Sequence, residues 1–225
     1  MAETLPARLK AALAELERKA TRRDLENLER FGIDAKNPIG VSMTNMRAIA
    51  KDIGRDHDLA FALWKTGIYE ARMLATLVDD PAQVTAAQAE AWCRSFDNWA
   101  IVDTACFALF DRTPHAWGKV LEWSKARGEF QKRAAFALLW SLTVHDKTAP
   151  DAKFVEGLRL IEEAAGDERH YVKKAVNMAL RAIGKRRETL RKSAVAVARR
   201  LAASDDPTAC WVGKDALREL VPRKA

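Results

Sequence analysis

Tyr69-Glu70-Ala71-Arg72, Phe130-Gln131-Lys132-Arg133, Tyr171-Val172-Lys173-Lys174 and Trp211-Val212-Gly213-Lys214 each set an aromatic residue three positions before a base. The bases fall at 72, 133, 174 and 214, so the last two steps are 41 and 40 residues and the first is 61. A further copy, Trp99-Ala100-Ile101-Val102, fits inside the long step. Its base position is Val102, and the next residue is a carboxylate, Asp103. Recurrence every ~30–40 residues in segments of helical pattern marks stacked helical repeats, each burying its apolar face against a neighbour. One acid set into a row of bases is where chemistry is expected.

The sequence around these segments reads as helix throughout. Apolar residues recur at three and four, and β-branched runs are short. The pattern predicts helices over 5–19, 22–30 and 43–53. Thr21 and Ser42 are placed as N-caps, and Gly54 ends the third helix. Paired helices follow over 58–66 and 69–78, 85–96 and 98–111, 114–127 and 129–144, 152–165 and 168–183, and 187–203 and 207–220. Asp79-Asp80-Pro81, Thr113-Pro114, Ala149-Pro150 and Asp206-Pro207 punctuate the pairs, as proline does at helix starts. No Gly/Ser linker divides the chain, so 1–225 is expected to form a single all-α domain. In such arrays the second helix of each pair lines the concave side. Arg72, Asp103, Arg133, Lys174 and Lys214 are therefore expected along one groove.

The chain carries a net charge of +7. The bias is concentrated in 169–200, where Arg169, Lys173, Lys174, Arg181, Lys185, Arg186, Arg187, Arg191, Lys192, Arg199 and Arg200 face only Glu188. Solvated helix faces usually mix signs, so this stretch suggests a polyanionic partner. Cys93, Cys106 and Cys210 form no CxxC pair and read as thiols of a reduced, cytosolic protein. The four histidines lack metal-ligand spacing, so no zinc is expected. The N-terminus has no apolar h-region, so no signal peptide is expected, and no apolar run is long enough to span a membrane. His145-Asp146 reads as a turn and cap rather than a catalytic dyad.

Several segments, in this order and spacing, resemble one known family. They are Gly40-Val41-Ser42-Met43-Thr44-Asn45-Met46-Arg47-Ala48-Ile49-Ala50-Lys51, Glu70-Ala71-Arg72-Met73-Leu74-Ala75 and Asn98-Trp99-Ala100-Ile101-Val102-Asp103. Lys132-Arg133-Ala134-Ala135-Phe136-Ala137-Leu138 and Val172-Lys173-Lys174-Ala175-Val176-Asn177-Met178-Ala179-Leu180-Arg181 complete the set. The sequence is similar to the AlkD-like DNA alkylation repair enzymes, glycosylases built from HEAT-like repeats. The resemblance implies an α-solenoid of HEAT-like helical pairs with a concave basic groove. It implies a monomer that binds alkylated double-stranded DNA in the cytoplasm, associated with the nucleoid, and needs no cofactor. By the same resemblance Asp103 matches the catalytic carboxylate, Trp99 its partner aromatic and Arg133 the active-site arginine. Arg72, Lys173, Lys174, Arg181 and Lys214 are the expected DNA contacts. The family carries a tryptophan in the lesion cleft where this chain has Met178, which supplies bulk and polarisability without a π-face.

The implied chemistry is physically coherent. An N3- or N7-alkylated purine is already cationic, so it can leave without a general acid. Glycosidic cleavage then passes through an oxocarbenium-like state. A fixed carboxylate stabilises that state more than the ground state, and Trp99 would offer a quadrupole face to the cation. Two other readings stay open at this level: a non-catalytic HEAT-like DNA-binding protein, and a protein-interaction scaffold. Phosphate binding alone gains nothing from an acid at 103, and a scaffold gains nothing from the one-sign stretch 169–200.

Overall fold

Apolar residues at helical spacing and well-placed caps produce thirteen α-helices and one 3-10 turn, with no strand among the described residues. The structure is a computed structural model that describes residues 3–221. The helices are α1 (Leu5–Lys19), α2 (Arg22–Arg30), α3 (Met43–Ile53), α4 (His57–Lys65), α5 (Tyr69–Val78), α6 (Ala86–Arg94) and α7 (Trp99–Ala108). After the turn Phe110–Arg112 come α8 (Ala116–Trp123), α9 (Glu129–His145), α10 (Asp151–Ala164), α11 (His170–Arg186), α12 (Glu188–Ala202) and α13 (Pro207–Leu220). The predicted caps form: Thr21 accepts from the Asp24 N–H and Ser42 from the Asn45 N–H. Gly54 caps α3 with φ 78°. The predicted boundaries hold to within a few residues, because the proline and capping signals that set them are local. The chain divides into two compact units, with Thr113 ending the first and Pro114 opening the second.

In the first unit α5 is the central helix. It packs against α1, α3, α4 and α7. Every residue of α5 except Leu77 is buried, including Glu70 and Arg72. Burying two charges is tolerable only when each is fully bonded. Glu70 accepts backbone N–H groups from Ile39 at 2.9 Å, Gly40 at 2.7 Å and Val41 at 3.3 Å. The clamp draws the loop before α3 down onto α2, and the Gly40 carbonyl accepts from the Thr21 N–H at 2.8 Å. Gly40 is required there: its φ is +87°, and a Cβ would sit 2.5 Å from the Thr21 carbonyl oxygen.

Two residues further along, Arg72 faces the other way. Its guanidinium donates to Asp97 at 2.9 Å and to the Ser95 carbonyl at 2.7 Å, and lies 4.7 Å over the Trp64 ring. Trp64 in turn stacks on Trp92 at 4.0 Å. Asp97 accepts from the Asn98 amide, and the Asn98 side-chain oxygen caps α7 through the Ile101 N–H, each at 3.0 Å. Arg72 thus fixes the start of α7 through a chain of three side chains.

The second unit repeats the device. Its central helix α11 packs against α9, α10, α12 and α13. Glu129 accepts the Tyr171 N–H at 3.0 Å, and Arg133 donates to the Tyr171 carbonyl at 3.0 Å. One acid and one base at the start of α9 therefore hold both backbone polar groups of one residue on α11. Arg186 donates to the carbonyls of Thr143 and Asp146, satisfying the C-terminal end of α9. Gly213 lets α13 approach α12, since a Cβ there would lie 2.5 Å from the Ala198 carbonyl.

Glu70→Ala leaves three buried or half-buried N–H groups without an acceptor. At about 1–3 kcal/mol for each unsatisfied group, partly relieved by entering water, the loss of unfolding free energy in urea is expected to be roughly 3 kcal/mol. A loss below about 1 kcal/mol would show that the clamp is incidental.

Candidate functional site

Helix α7 carries the predicted acid. The Asn98 cap sets its first turn, and Trp99 and Asp103, four residues apart, share one face. Both are partly exposed and both line a cleft of about 320 Å³ enclosed by α2, the loop into α3, α3, α5 and α7. The walls are mainly apolar and soft: Phe31, Ile33, Val41, Met43, Met46 and Met73, with Tyr69 at the base. The indole N–H of Trp99 donates to the Phe31 carbonyl at 3.3 Å, which ties α7 to the end of α2. Phe31 itself is 60% exposed, beside the Arg30 guanidinium, so the mouth of the cleft is aromatic. Tyr69 is buried, and its phenol is pushed well above its ordinary pKa by burial, then by the charges of Glu70 and Asp97. It stays neutral at any working pH.

A carboxylate against low-polarity walls exerts a stronger field on a nearby cation than one in open water. Asp24 also lines the cleft, but its carboxylate accepts from the Thr21 hydroxyl at 2.9 Å and serves the α2 cap. Asp103 is the acid on the helix that also presents an aromatic. Sequence reasoning missed the Met-rich and loop-borne part of this wall. The signal that could have found it is Gly40 together with Glu70, but neither residue is chemical by type.

The second unit presents most of the basic residues expected at DNA. Arg181 is bonded to Glu219, approaches Asp215 at 3.7 Å and donates to Asn177 at 3.2 Å. Its charge is thus largely compensated by neighbouring acids of the second unit. Arg72, in the first unit, is 6% exposed and committed to Asp97 and Ser95. It is an internal strut between α5 and the start of α7. Arg133 is likewise buried, at 4% exposure. The aromatic-x-x-basic repeat therefore serves two purposes: its two arginines tie neighbouring helices, whereas Lys174 and Lys214 are exposed.

The one-sign stretch 169–200 is also less naked than its sequence suggests. Arg169 pairs with Asp167, Lys185 with Glu219, Arg187 with Asp151 and Arg200 with Glu162. Arg186 is spent on carbonyls. Lys173 and Lys174 instead lie over the ring of Trp211, at 5.4 and 5.2 Å. Met178, on α11 one turn after Lys174, is partly exposed.

His145-Asp146 behaves as a turn: Asp146 accepts from the Ala149 N–H, the Thr148 hydroxyl and the Trp117 indole. Burial raises its pKa, but these bonds outweigh that and hold it below the ordinary carboxylate value. Among the described residues no group of three or more His, Cys, Asp or Glu is arranged to hold a metal ion. No helix among them is long and apolar enough to cross a membrane.

A solved structure from a family of proteins related to the HEAT-like repeat DNA glycosylases, with affinity for branched DNA structures, superposes with a TM-score of 0.77. It shares 20% identity and covers 94% of this chain and 95% of that one, which shows a shared fold. No curated protein matches the chain in sequence. Residues 12–220, nearly the whole chain, match the family described as DNA alkylation repair enzyme. With an all-α HEAT-like fold and a match of that extent, the chain belongs to the DNA alkylation repair enzyme family.

Proposed function

We propose that the protein is a DNA glycosylase that releases cationic N3- or N7-alkylated purines from double-stranded DNA. The observation that carries this reading is Trp99 and Asp103 on one face of α7, both partly exposed at an apolar, aromatic-mouthed cleft. In the proposed reaction the alkylated base departs with the electron pair of its glycosidic bond and becomes neutral. The positive charge passes to the sugar, where the Asp103 carboxylate opposes it. Asp103 also orients the water that then adds to the sugar and loses a proton to solvent. Trp99 presents its π-face to the same cation.

Arg133 is retained as a positioning residue: its burial and its bond to Tyr171 fit an arginine that orders helix starts. Lys173, Lys174 and Lys214 supply phosphate contacts, which fix register on the duplex without reading sequence. The protein acts as a monomer on nucleoid DNA in the cytoplasm, with no cofactor. A second reading, DNA binding without turnover, is favoured by one residue. Met178 stands where the resemblance calls for a tryptophan, and a methionine offers no π-face.

Incubation with DNA containing 7-methylguanine and measurement of free base separates the two. The wild type is expected to release the base. Asp103→Asn is expected to slow release by about 100- to 1,000-fold, the usual loss for one such electrostatic interaction. Its affinity for duplex should hold or rise, because an acid has left a polyanion-binding surface. Met178→Trp should raise the rate. No release by wild type or Met178→Trp, with Asp103→Asn unchanged in binding, would leave the binding reading in place.

Salt titration tests the basic residues. Lys173→Ala and Lys174→Ala should each flatten the log–log salt dependence of duplex binding, by about 0.9 for every phosphate no longer neutralised. Arg181→Ala should leave that slope unchanged, since its charge is compensated by Asp215 and Glu219. An equal flattening by all three would restore Arg181 as a phosphate contact.

A further inference from the structure

We infer that Trp211, flanked by Lys173, Lys174 and Lys214, is a stacking site for an unpaired base, so the protein prefers DNA with exposed single-stranded bases over fully paired duplex. The inference rests on the DNA-partner part of the reading above and is independent of catalysis.

Charge compensation singles out the site. Most arginines of the basic stretch are held by acids or carbonyls, as at Arg169, Arg181, Arg186, Arg187 and Arg200. Lys173 and Lys174 instead converge on one indole, their ammonium groups 5.4 and 5.2 Å from the Trp211 ring centroid. Lys214 lies three residues after Trp211, on the same face of α13, and is exposed. Asp215 does not neutralise this group, because its carboxylate is engaged by Arg218 at 3.2 Å and approached by Arg181.

The ring is partly exposed, and the helix that carries it is tied to its neighbour. The Asn177 amide donates to the Val212 carbonyl at 3.1 Å, binding α11 to α13 next to Trp211. The Asp206 cap sets the start of α13. A partly exposed indole among cations has the two parts of a single-strand platform, a π-face for the base and charges for its phosphates. In the free protein the ammonium groups lie over the ring. An exposed cation–π contact is weaker than base–aromatic stacking, so phosphates can draw the lysines off while a base takes their place. A base inside an intact duplex is already stacked and gains nothing from the ring.

The test uses the full chain and three labelled DNAs, read by fluorescence anisotropy at fixed salt. One is a blunt duplex, one carries a single-stranded overhang, and one carries an overhang of the same length built from abasic sugar-phosphates. The two overhangs have equal charge and differ only in bases. The wild type is expected to bind the base-bearing overhang about 5- to 150-fold tighter than the abasic one, the range of one base–aromatic stack. Trp211→Ala should bind the two alike, whereas Trp211→Phe should keep most of the difference. Thermal melts of both variants check that each is folded.

Equal binding of the two overhangs by wild type would overturn the inference while leaving duplex recognition intact. So would a difference that survives in Trp211→Ala. Failure to bind any of the three DNAs would overturn it together with the DNA reading.

Discussion

Two buried charges on one turn of α5 hold the first unit's candidate site together. Glu70 pulls the loop at 39–41 onto α2 by three N–H bonds, and that loop forms one wall of the cleft. Arg72 reaches Asp97 and Ser95 and, through Asn98, sets the first turn of α7, which is the opposite wall. Neither charge can be left unpaired in that environment without a cost of several kcal/mol, so the walls are held where the pairs place them. Trp99 and Asp103 owe their position to this arrangement.

The second unit uses the same chemistry at Glu129 and Arg133, which grip the two polar groups of Tyr171. An acid and a base near a helix start are thus a recurring means of fixing the next helix. The aromatic of each motif packs beside them; Phe130 and Tyr171, for example, lie with ring centroids 5.2 Å apart. The repeat that signals stacked helices also keeps them in register. Only where the base is a lysine, at 174 and 214, does it stay exposed to meet an external partner.

Net charge gives a further lesson about reading surfaces. The chain nets +7, and the stretch 169–200 alone holds eleven bases. Much of that charge is answered by acids from other segments, at Asp151, Glu162, Asp167, Asp215 and Glu219. Exposed pairs of this kind contribute little to stability, but they remove much of the charge a ligand would feel. The charge this stretch can offer a polyanion is thereby reduced, and Lys173 and Lys174 beside Trp211 are part of what remains.

The helices were legible in the sequence, because their signals are local: Thr21, Ser42, Gly54, Pro114 and Pro207 act within a turn of themselves. The repeat pattern singled out Trp99 and Asp103, the resemblance supplied their roles, and their i, i+4 spacing alone placed them on one face. Which bases are free was not legible. Arg72, Arg181 and Lys174 look alike along the chain, yet Arg72 finds Asp97 and Arg181 finds Glu219 only when distant helices pack. Partner choice by a long charged side chain depends on what lies within a few ångströms in space, and sequence distance does not encode that. The cleft is of the same kind: its methionines and Phe31 become a wall only once Glu70 has folded a loop from some thirty residues away onto α2.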